Sequence, residues 1–219
     1  MSNLKSLFIY MQFILITLLF VQCDKDDDYI YPSVLTDFMD VYTNNESVID
    51  KIGVDGVNGT LHLGNLVKGT NLKSDTVYRA VGMYSLPDAE TESTYIYSLT
   101  LIYSSYPVPA EDATNYKTDP LDIESVYRGG GYLNIVALPL VQDRNLHGFG
   151  FIENGIEERN GNKILSVALA HNQNGDRESF PRRVYLSVPL ERYQLQKGDS
   201  IYFHANVYDE GVKVWKIAY

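Results

Sequence analysis

The sequence predicts an all-β fold, and two features of it carry that prediction. Short runs of alternating apolar and polar residues end at Gly, Asn, Asp or Pro, as expected for half-buried strands and the turns between them. The chain also has 18 tyrosines against 8 phenylalanines and one tryptophan, and tyrosine suits strands that have one wet face. Between residues 29 and 219 no segment carries a hydrophobic stripe of helical period.

The clearest predicted strand is residues 201–208. Its apolar face would comprise Ile201, Phe203, Ala205 and Val207, with Tyr202, His204, Asn206 and Tyr208 on the other side. Further strands are predicted at residues 95–103, 132–138, 164–170, 184–190 and 212–219. In the first of these, one face is expected to hold Tyr95, Tyr97, Leu99, Leu101 and Tyr103. Asn-Gly or Asp-Gly pairs indicate turns, several of them hairpin-like, at residues 55–56, 58–59, 154–155, 160–161 and 174–175.

A boundary between two domains is predicted in the segment from residue 107 to residue 131. This segment is polar and rich in proline at its start, and it ends in Gly129, Gly130 and Gly131. We therefore expect a small barrel-like domain over residues 31–125 and a β-sandwich over residues 126–219. The glycine triplet has no following Gly-Lys-Ser/Thr, so a hinge or a bulge at a strand start is favoured over a phosphate loop.

The charge balance argues against a nucleic-acid partner. Lysine and arginine number 18 against 28 acidic residues, which gives a net charge of −10. Such a surface repels phosphate backbones, and the longest basic cluster is the pair Arg182-Arg183.

Residues 1–22 have the form of an export signal. A single Lys5 precedes an apolar run over residues 7–21, which is shorter than the roughly 20 residues of a membrane-spanning helix. The run ends at Cys23, the only cysteine, and this end resembles the lipobox of bacterial lipoproteins, with Phe20 and Gln22 where that motif has Leu and a small residue. The resemblance implies a lipoprotein signal peptide, acyl chains on Cys23 and attachment to the outer membrane.

Residues 23–30 are predicted to be an acidic tether that cannot pack. The charged positions that follow the cysteine are Asp24, Lys25, Asp26, Asp27 and Asp28. The segment is similar to the acidic signal that directs some lipoproteins to the outer surface, and a plain flexible spacer is the alternative. The expected location is therefore the cell surface, or otherwise the periplasmic face of the outer membrane.

Four segments of the sequence resemble the NigD-like lipoproteins. They are GGGYLN at residues 129–134, HNQNGD at 171–176, YLSVPL at 185–190 and KIAY at 216–219, and YPSV at 31–34 matches the start of the mature chain. The resemblance implies an N-terminal OB-like barrel followed by a C-terminal β-sandwich. The family takes its name from a gene cluster linked to a bacteriocin, and the resemblance assigns no catalytic, cofactor-binding or metal-binding residue.

Two patterns that could carry chemistry have simpler explanations. Gly198, Asp199 and Ser200 are similar to an esterase signature, with His204 nearby, but they open an alternating strand and no helix follows, so a turn is favoured. The segment 171–176 offers oxygen ligands without the spacing of a calcium loop, and a tight turn joining residues 164–170 to 184–190 is expected instead.

Three further questions concern binding and modification. The histidines His62, His147, His171 and His204 have no metal-ligand spacing, which leaves a site assembled from distant histidines as the alternative. Thr76 and Ser200 each lie in an Asp-Ser/Thr-apolar pattern similar to an O-glycosylation acceptor. The strand tyrosines Tyr95, Tyr97 and Tyr103 either pack the small barrel or form a stacking face for sugar or peptide.

Taken together, these features predict a lipid-anchored binding or interaction module without catalytic activity or cofactor, with a link to bacteriocins through the family. A protein partner is one expectation. The alternative is a glycan-binding surface protein that uses the tyrosine-rich face of the first domain.

Overall fold

The computed structural model describes residues 33–219, and it confirms the all-β fold. Every regular element in that range is a β-strand except for one 3-10 turn at Glu191–Tyr193. Within the same range, no helix has the length and apolar character needed to cross a membrane. The predicted signal peptide, Cys23 and the acidic tether lie outside the described residues.

The first half of this region is a small, partly open barrel. Its strands are β1 (Val34–Thr43), β2 (Val48–Val54), β3 (Leu61–Lys68), β4 (Val77–Ser85), β5 (Ser93–Thr94) and β6 (Ile96–Leu101). They are ordered β5-β3-β2-β1-β4-β6, and β5 and β6 follow each other in the chain. β5 pairs with β3 in parallel, and β6, which follows it directly, pairs with β4 in antiparallel orientation. The two edges of the sheet are thereby joined, and the sheet curls back on itself. This is the OB-type arrangement that was predicted.

One detail of the barrel corrects the predicted face of residues 95–103. The pairing of β6 with β4 shifts register between Met83 and Tyr84, so β6 contains a bulge at Tyr97. Ile96 and Leu99, three residues apart, therefore both contact the barrel core. Leu99 does not share a face with Tyr95 and Tyr97, because the bulge breaks the period of two.

The second half is a β-sandwich. Its strands are β7 (Tyr103–Ser104), β8 (Val108–Pro109), β9 (Asp122–Gly129), β10 (Tyr132–Leu138), β11 (Leu140–Val141), β12 (Gly148–Arg159), β13 (Asn162–Asn172), β14 (Phe180–Pro181), β15 (Val184–Pro189), β16 (Ser200–Val207) and β17 (Gly211–Ala218). One sheet has the order β7-β15-β10-β9 and the other β17-β16-β13-β12-β8, while β11 and β14 form a short ribbon. The sandwich core includes Leu133, Ile135, Phe151, Leu165, Leu186 and Phe203.

Most of the predicted strands of this half are confirmed. In β16 the four apolar residues of the predicted inner face are all buried. The Asn154-Gly155 pair is not a turn: it lies inside β12, where the register shifts and Gly155 takes a φ of 116°. Asn174-Gly175 is a tight turn with φ values of 50° and 78°, yet it joins no hairpin, because β13 and β15 belong to different sheets.

The segment between the two halves is built into the sandwich sheets. β7 pairs with β15, β8 with β12, and β9 with β10. The predicted division between residues 125 and 126 stays a prediction.

Candidate functional site

A buried arginine joins the barrel to the sandwich. Arg79 projects from β4, and its side chain is 2% exposed. It donates hydrogen bonds to Asp40 on β1, to Asp55 after β2, to Asn134 on β10 and to Ser187 on β15. Its guanidinium also lies 4.0 Å from the ring centroid of Tyr132. Every partner comes from this chain, so the charge of Arg79 is satisfied internally.

The carboxylate of Asp55 explains why the turn between β9 and β10 needs glycine. Asn134 Nδ2 donates to Asp55 Oδ2 over 2.7 Å, which completes the network around Arg79. Gly130 has a φ of 57°, and a Cβ placed on it would lie 1.9 Å from Asp55 Oδ1. The triplet is therefore neither a hinge nor a bulge: Gly130 and Gly131 form the tight turn between β9 and β10 and give the carboxylate room.

A groove opens where two strands diverge. β7 pairs with β15 in parallel at only two positions, Leu186 with Tyr103 and Ser187 with Ser104. On the N-terminal side of this pairing, residues 100–102 remain with the barrel while residues 182–185 remain with the sandwich. We call the space between them the fork groove; it is lined by residues 100–103 and 182–186 together with Pro139, Val141, Arg144, Asn145, His147 and Phe149.

The fork groove is apolar inside and positively charged. Its volume is about 270 Å³, and three arginines line it, although the whole chain has a net charge of −10. Arg183 forms a bidentate pair with Glu124, with both N···O distances at 2.8 Å. Within residues 33–219, no carboxylate lies within ion-pair distance of Arg144 or Arg182. No Asp or Glu of this described region lines the groove.

Two histidines far apart in sequence meet beside the groove. His147 Nδ1 lies 2.8 Å from His171 Nε2, and His147 Nε2 lies 3.2 Å from Asp176 Oδ2. His171 Nδ1 donates to the carbonyl of Asp119, since a carbonyl can only accept. Neutral His171 then accepts at Nε2, so His147 donates at Nδ1. The contact between His147 Nε2 and the Asp176 carboxylate continues this chain of hydrogen bonds.

The environments of two of these groups are consistent with this assignment. Burial lowers the pKa of His171, and the neighbouring His147 adds to that effect. Burial alone would raise the pKa of Asp176, but the backbone N–H groups of Asp143 and Gln142 outweigh it, so this pKa is lowered. The Asp176 carboxylate is thus occupied by the backbone N–H groups of Gln142 and Asp143 and by His147.

The tyrosines proposed as a ligand face are exposed but separated. Tyr95 and Tyr97 are 53% and 52% exposed on the barrel, where the ring of Tyr95 covers Gly64. Tyr103 is 42% exposed and lines the fork groove, with its ring centroid 5.9 Å from that of Phe151. The ring of Tyr84 is buried, and its hydroxyl donates to Asp37.

The other residues singled out by sequence are distributed as follows. Asp199 accepts hydrogen bonds from the backbone of Lys163 and Gln196, so it serves the turn before β16. His204 forms a hydrogen bond with Ser166 on the neighbouring strand, and Ser200 begins β16 between β13 and β17. Thr76 donates to the carbonyl of Ser74 in the loop before β4. In the described region no three His, Cys, Asp or Glu side chains are grouped to hold a metal ion.

Sequence reasoning missed the fork groove because its walls are about 80 residues apart along the chain. One signal was available: Arg182-Arg183 is the longest basic cluster in an acidic sequence, and it lies immediately before β15. The Arg79 network gave a weaker signal, the Asp55-Gly56 turn and the glycine triplet, which the fold brings into contact.

The two halves define a class of protein, an OB-type barrel joined to a β-sandwich. Residues 104–219 match the model of the NigD-like C-terminal beta sandwich domain. A NigD-like immunity protein from Bacteroides caccae is 31% identical, with a TM-score of 0.68 over 86% of this chain and 93% of that one. The chain therefore belongs to the NigD-like family.

More distant solved structures share the fold. A protein from Parabacteroides distasonis, provisionally described as toxin-related, has a TM-score of 0.66 at 19% identity over 85% of this chain and 93% of its own. A protein from Bacteroides fragilis, provisionally described as a lipoprotein, has a TM-score of 0.58 at 13% identity over 85% of this chain and 98% of its own. No curated protein sequence matches this chain.

Proposed function

We propose that this protein is a lipid-anchored, non-catalytic binding protein of the outer membrane, displayed at the cell surface, and that it recognises a protein partner through the fork groove. The observation that carries the proposal is the groove itself: an apolar cavity of about 270 Å³ with two arginines that have no carboxylate partner in residues 33–219. Charged groups left without an internal partner at an apolar cavity are suited to an external ligand.

The anchor rests on the sequence and on one relative. Cys23 follows an export-like segment and precedes four aspartates, which supports acylation and surface display. The Bacteroides fragilis protein of the same fold is provisionally described as a lipoprotein. Cys23→Ala should release the protein from membranes and abolish labelling with palmitate. A mutant that stays membrane-bound and labelled would contradict the anchor, and protease digestion of intact cells separates surface display from the periplasmic face.

The partner can be sought by crosslinking in cells that produce the protein. A benzoylphenylalanine at Leu101, which is 45% exposed in the groove, should capture a distinct protein. The same probe at Val212, which is 69% exposed on β17, is the matched control. Equal products at both positions, or none at Leu101, would contradict the proposal. Because the Bacteroides caccae relative is described as an immunity protein, a toxin is the first candidate to compare with the captured protein.

A glycan-binding role is the second candidate, and the exposed rings of Tyr95 and Tyr97 favour it. Retention on a polysaccharide affinity gel that is lost in Tyr95→Ala and Tyr97→Ala, but kept in Arg182→Ala, would support this role. Unretarded migration on every polysaccharide tested would exclude it.

A further inference from the structure

We infer that the fork groove binds an extended acidic segment of a partner protein, which adds as a strand to the free edge of β15 between Arg144 and Arg182. This inference rests on the proposed function and names the kind of partner that the groove fits. It is carried by three observations: unpaired strand edges, unpaired arginines and the size of the cavity.

β15 has a partly open edge on the side of β7. β15 pairs with β10 along its whole length, but on its other side β7 covers only Leu186 and Ser187. In an antiparallel pair, successive residues direct their N–H and C=O groups alternately toward the partner strand and away from it. One of Val184 and Tyr185 therefore directs its main-chain groups to the side of β7, where the pairing with β7 ends at Leu186. The same reasoning applies to Thr100 and Leu101, which pair with β4 on one side only.

An extended peptide satisfies these groups, whereas a sugar or a small anion does not match their spacing. Strand addition to an open sheet edge is a common mode of peptide recognition, with main-chain hydrogen bonds for affinity and side-chain pockets for specificity. The open part of β15 and the residues before it span about four residues, or about 13 Å of extended chain at roughly 3.3 Å per residue.

The arginines of the groove indicate that the bound peptide carries negative charge. Arg183 is paired with Glu124, but Arg144 and Arg182 have no carboxylate partner in the described region. Because side chains alternate along a strand, a segment with a carboxylate at every second position would place its acids on one side. Its apolar residues would then lie against Val184 and Phe149. The cavity of about 270 Å³ accommodates one or two aliphatic side chains and is small for a larger ligand.

The test uses the purified full-length protein and four probes. They are an acetylated, amidated pentapeptide of alternating valine and glutamate, its analogue with glutamine for glutamate, the acidic peptide with alternate amides N-methylated, and inorganic phosphate. Affinity is measured by calorimetry at low and at physiological salt. We expect the acidic peptide to bind and the other three probes to bind at least about tenfold more weakly, since charge-assisted hydrogen bonds are stronger than neutral ones.

Protein variants localise the binding. Arg182→Glu and Arg144→Glu should each weaken binding of the acidic peptide about tenfold or more. Arg159→Glu, at a side chain that is 67% exposed on β12, should leave it unchanged.

Several results would overturn the inference: no binding of the acidic peptide, equal binding of the glutamine or the N-methylated analogue, phosphate binding as tight as that of the peptide, or an equal loss with Arg159→Glu. If the Leu101 probe still captures a protein in cells while these peptides fail, the proposed function stands and this inference falls.

Discussion

Arg79 and Arg182 are the same residue type in opposite situations. Arg79 is enclosed at the junction of barrel and sandwich, where two aspartates, an asparagine, a serine and an aromatic ring satisfy it. Arg182 lines an open groove and has no carboxylate partner in residues 33–219. A charge satisfied by its own chain maintains the fold, whereas a charge that the fold leaves unpaired is available to a partner. Substitutions at these two arginines and at the residues around them separate the two roles.

Removing the buried arginine should have the largest effect. Arg79→Met leaves Asp40 and Asp55 without their cation, and breaking a buried ion pair by removing one partner costs about 3–5 kcal/mol. Urea unfolding should show this loss in the free energy of unfolding. Arg159→Met, on an exposed side chain, is the control and should change it by less than about 0.5 kcal/mol. A loss below about 1 kcal/mol for Arg79→Met would mean that the network does not hold the two halves.

The glycine turn beside that network should give the next largest effect. Gly130→Ala combines a positive φ with a Cβ that would overlap Asp55, so we expect a loss of about 2–5 kcal/mol, the sum of backbone strain and overpacking. Gly161→Ala is a matched control, because Gly161 also has a positive φ, of 80°, but nothing lies within 4 Å of its added Cβ. In the control only the backbone strain lowers the free energy of unfolding, by about 1–2 kcal/mol. Equal losses for the two variants would show that the approach of Asp55 is unimportant.

The histidine pair predicts a pH dependence. Since the pKa of folded His171 is lowered, the unfolded chain takes up a proton at this position first as the pH falls below about 6.5. This contribution to stability is therefore present above pH 6.5 and is lost as the pH falls through the folded pKa. His171→Asn, whose amide can still donate to the carbonyl of Asp119, should flatten the fall in unfolding free energy between pH 7 and 5.

His62→Asn provides the comparison for that experiment, because His62 is exposed on β3. It should keep the slope of the unmodified protein. An unchanged slope in His171→Asn would contradict the assignment of a neutral, buried His171.

The smallest effect on stability is expected in the groove. Arg182→Ala should change the free energy of unfolding by less than about 0.5 kcal/mol, because no carboxylate loses its partner. The same variant should weaken binding of the acidic peptide. A stability loss comparable to that of Arg79→Met would place Arg182 in the fold rather than in a binding site.

The elements that sequence predicted well are those with local signals. β16 alternates without interruption, and its four apolar residues are buried as expected. β6 defeats the same reasoning, since a bulge at Tyr97 shifts Leu99 to the core face and no residue near it signals the shift. Bulges arise from pairing with another strand, here β4, so the sequence of β6 alone does not specify them.

The candidate site could not be predicted because it depends on contacts between distant segments. Arg79 and Ser187 are 108 residues apart, and His147 and His171 are 24 apart on different strands or loops. The histidines do not show metal-ligand spacing, yet they form a hydrogen-bonded pair. Arg182-Arg183 was visible as a basic cluster, but only the divergence of β7 from β15 gives that cluster a groove.

An NMR titration of the ¹⁵N-labelled protein with the acidic pentapeptide tests directly whether the fork groove is the binding site. We expect amide shifts concentrated at Leu101, Tyr103, Val184 and Tyr185, with Tyr95, Tyr97 and the enclosed Asn134 unmoved. Shifts centred on Tyr95 and Tyr97, or spread evenly over both halves, would contradict the claim that the fork groove is the binding site.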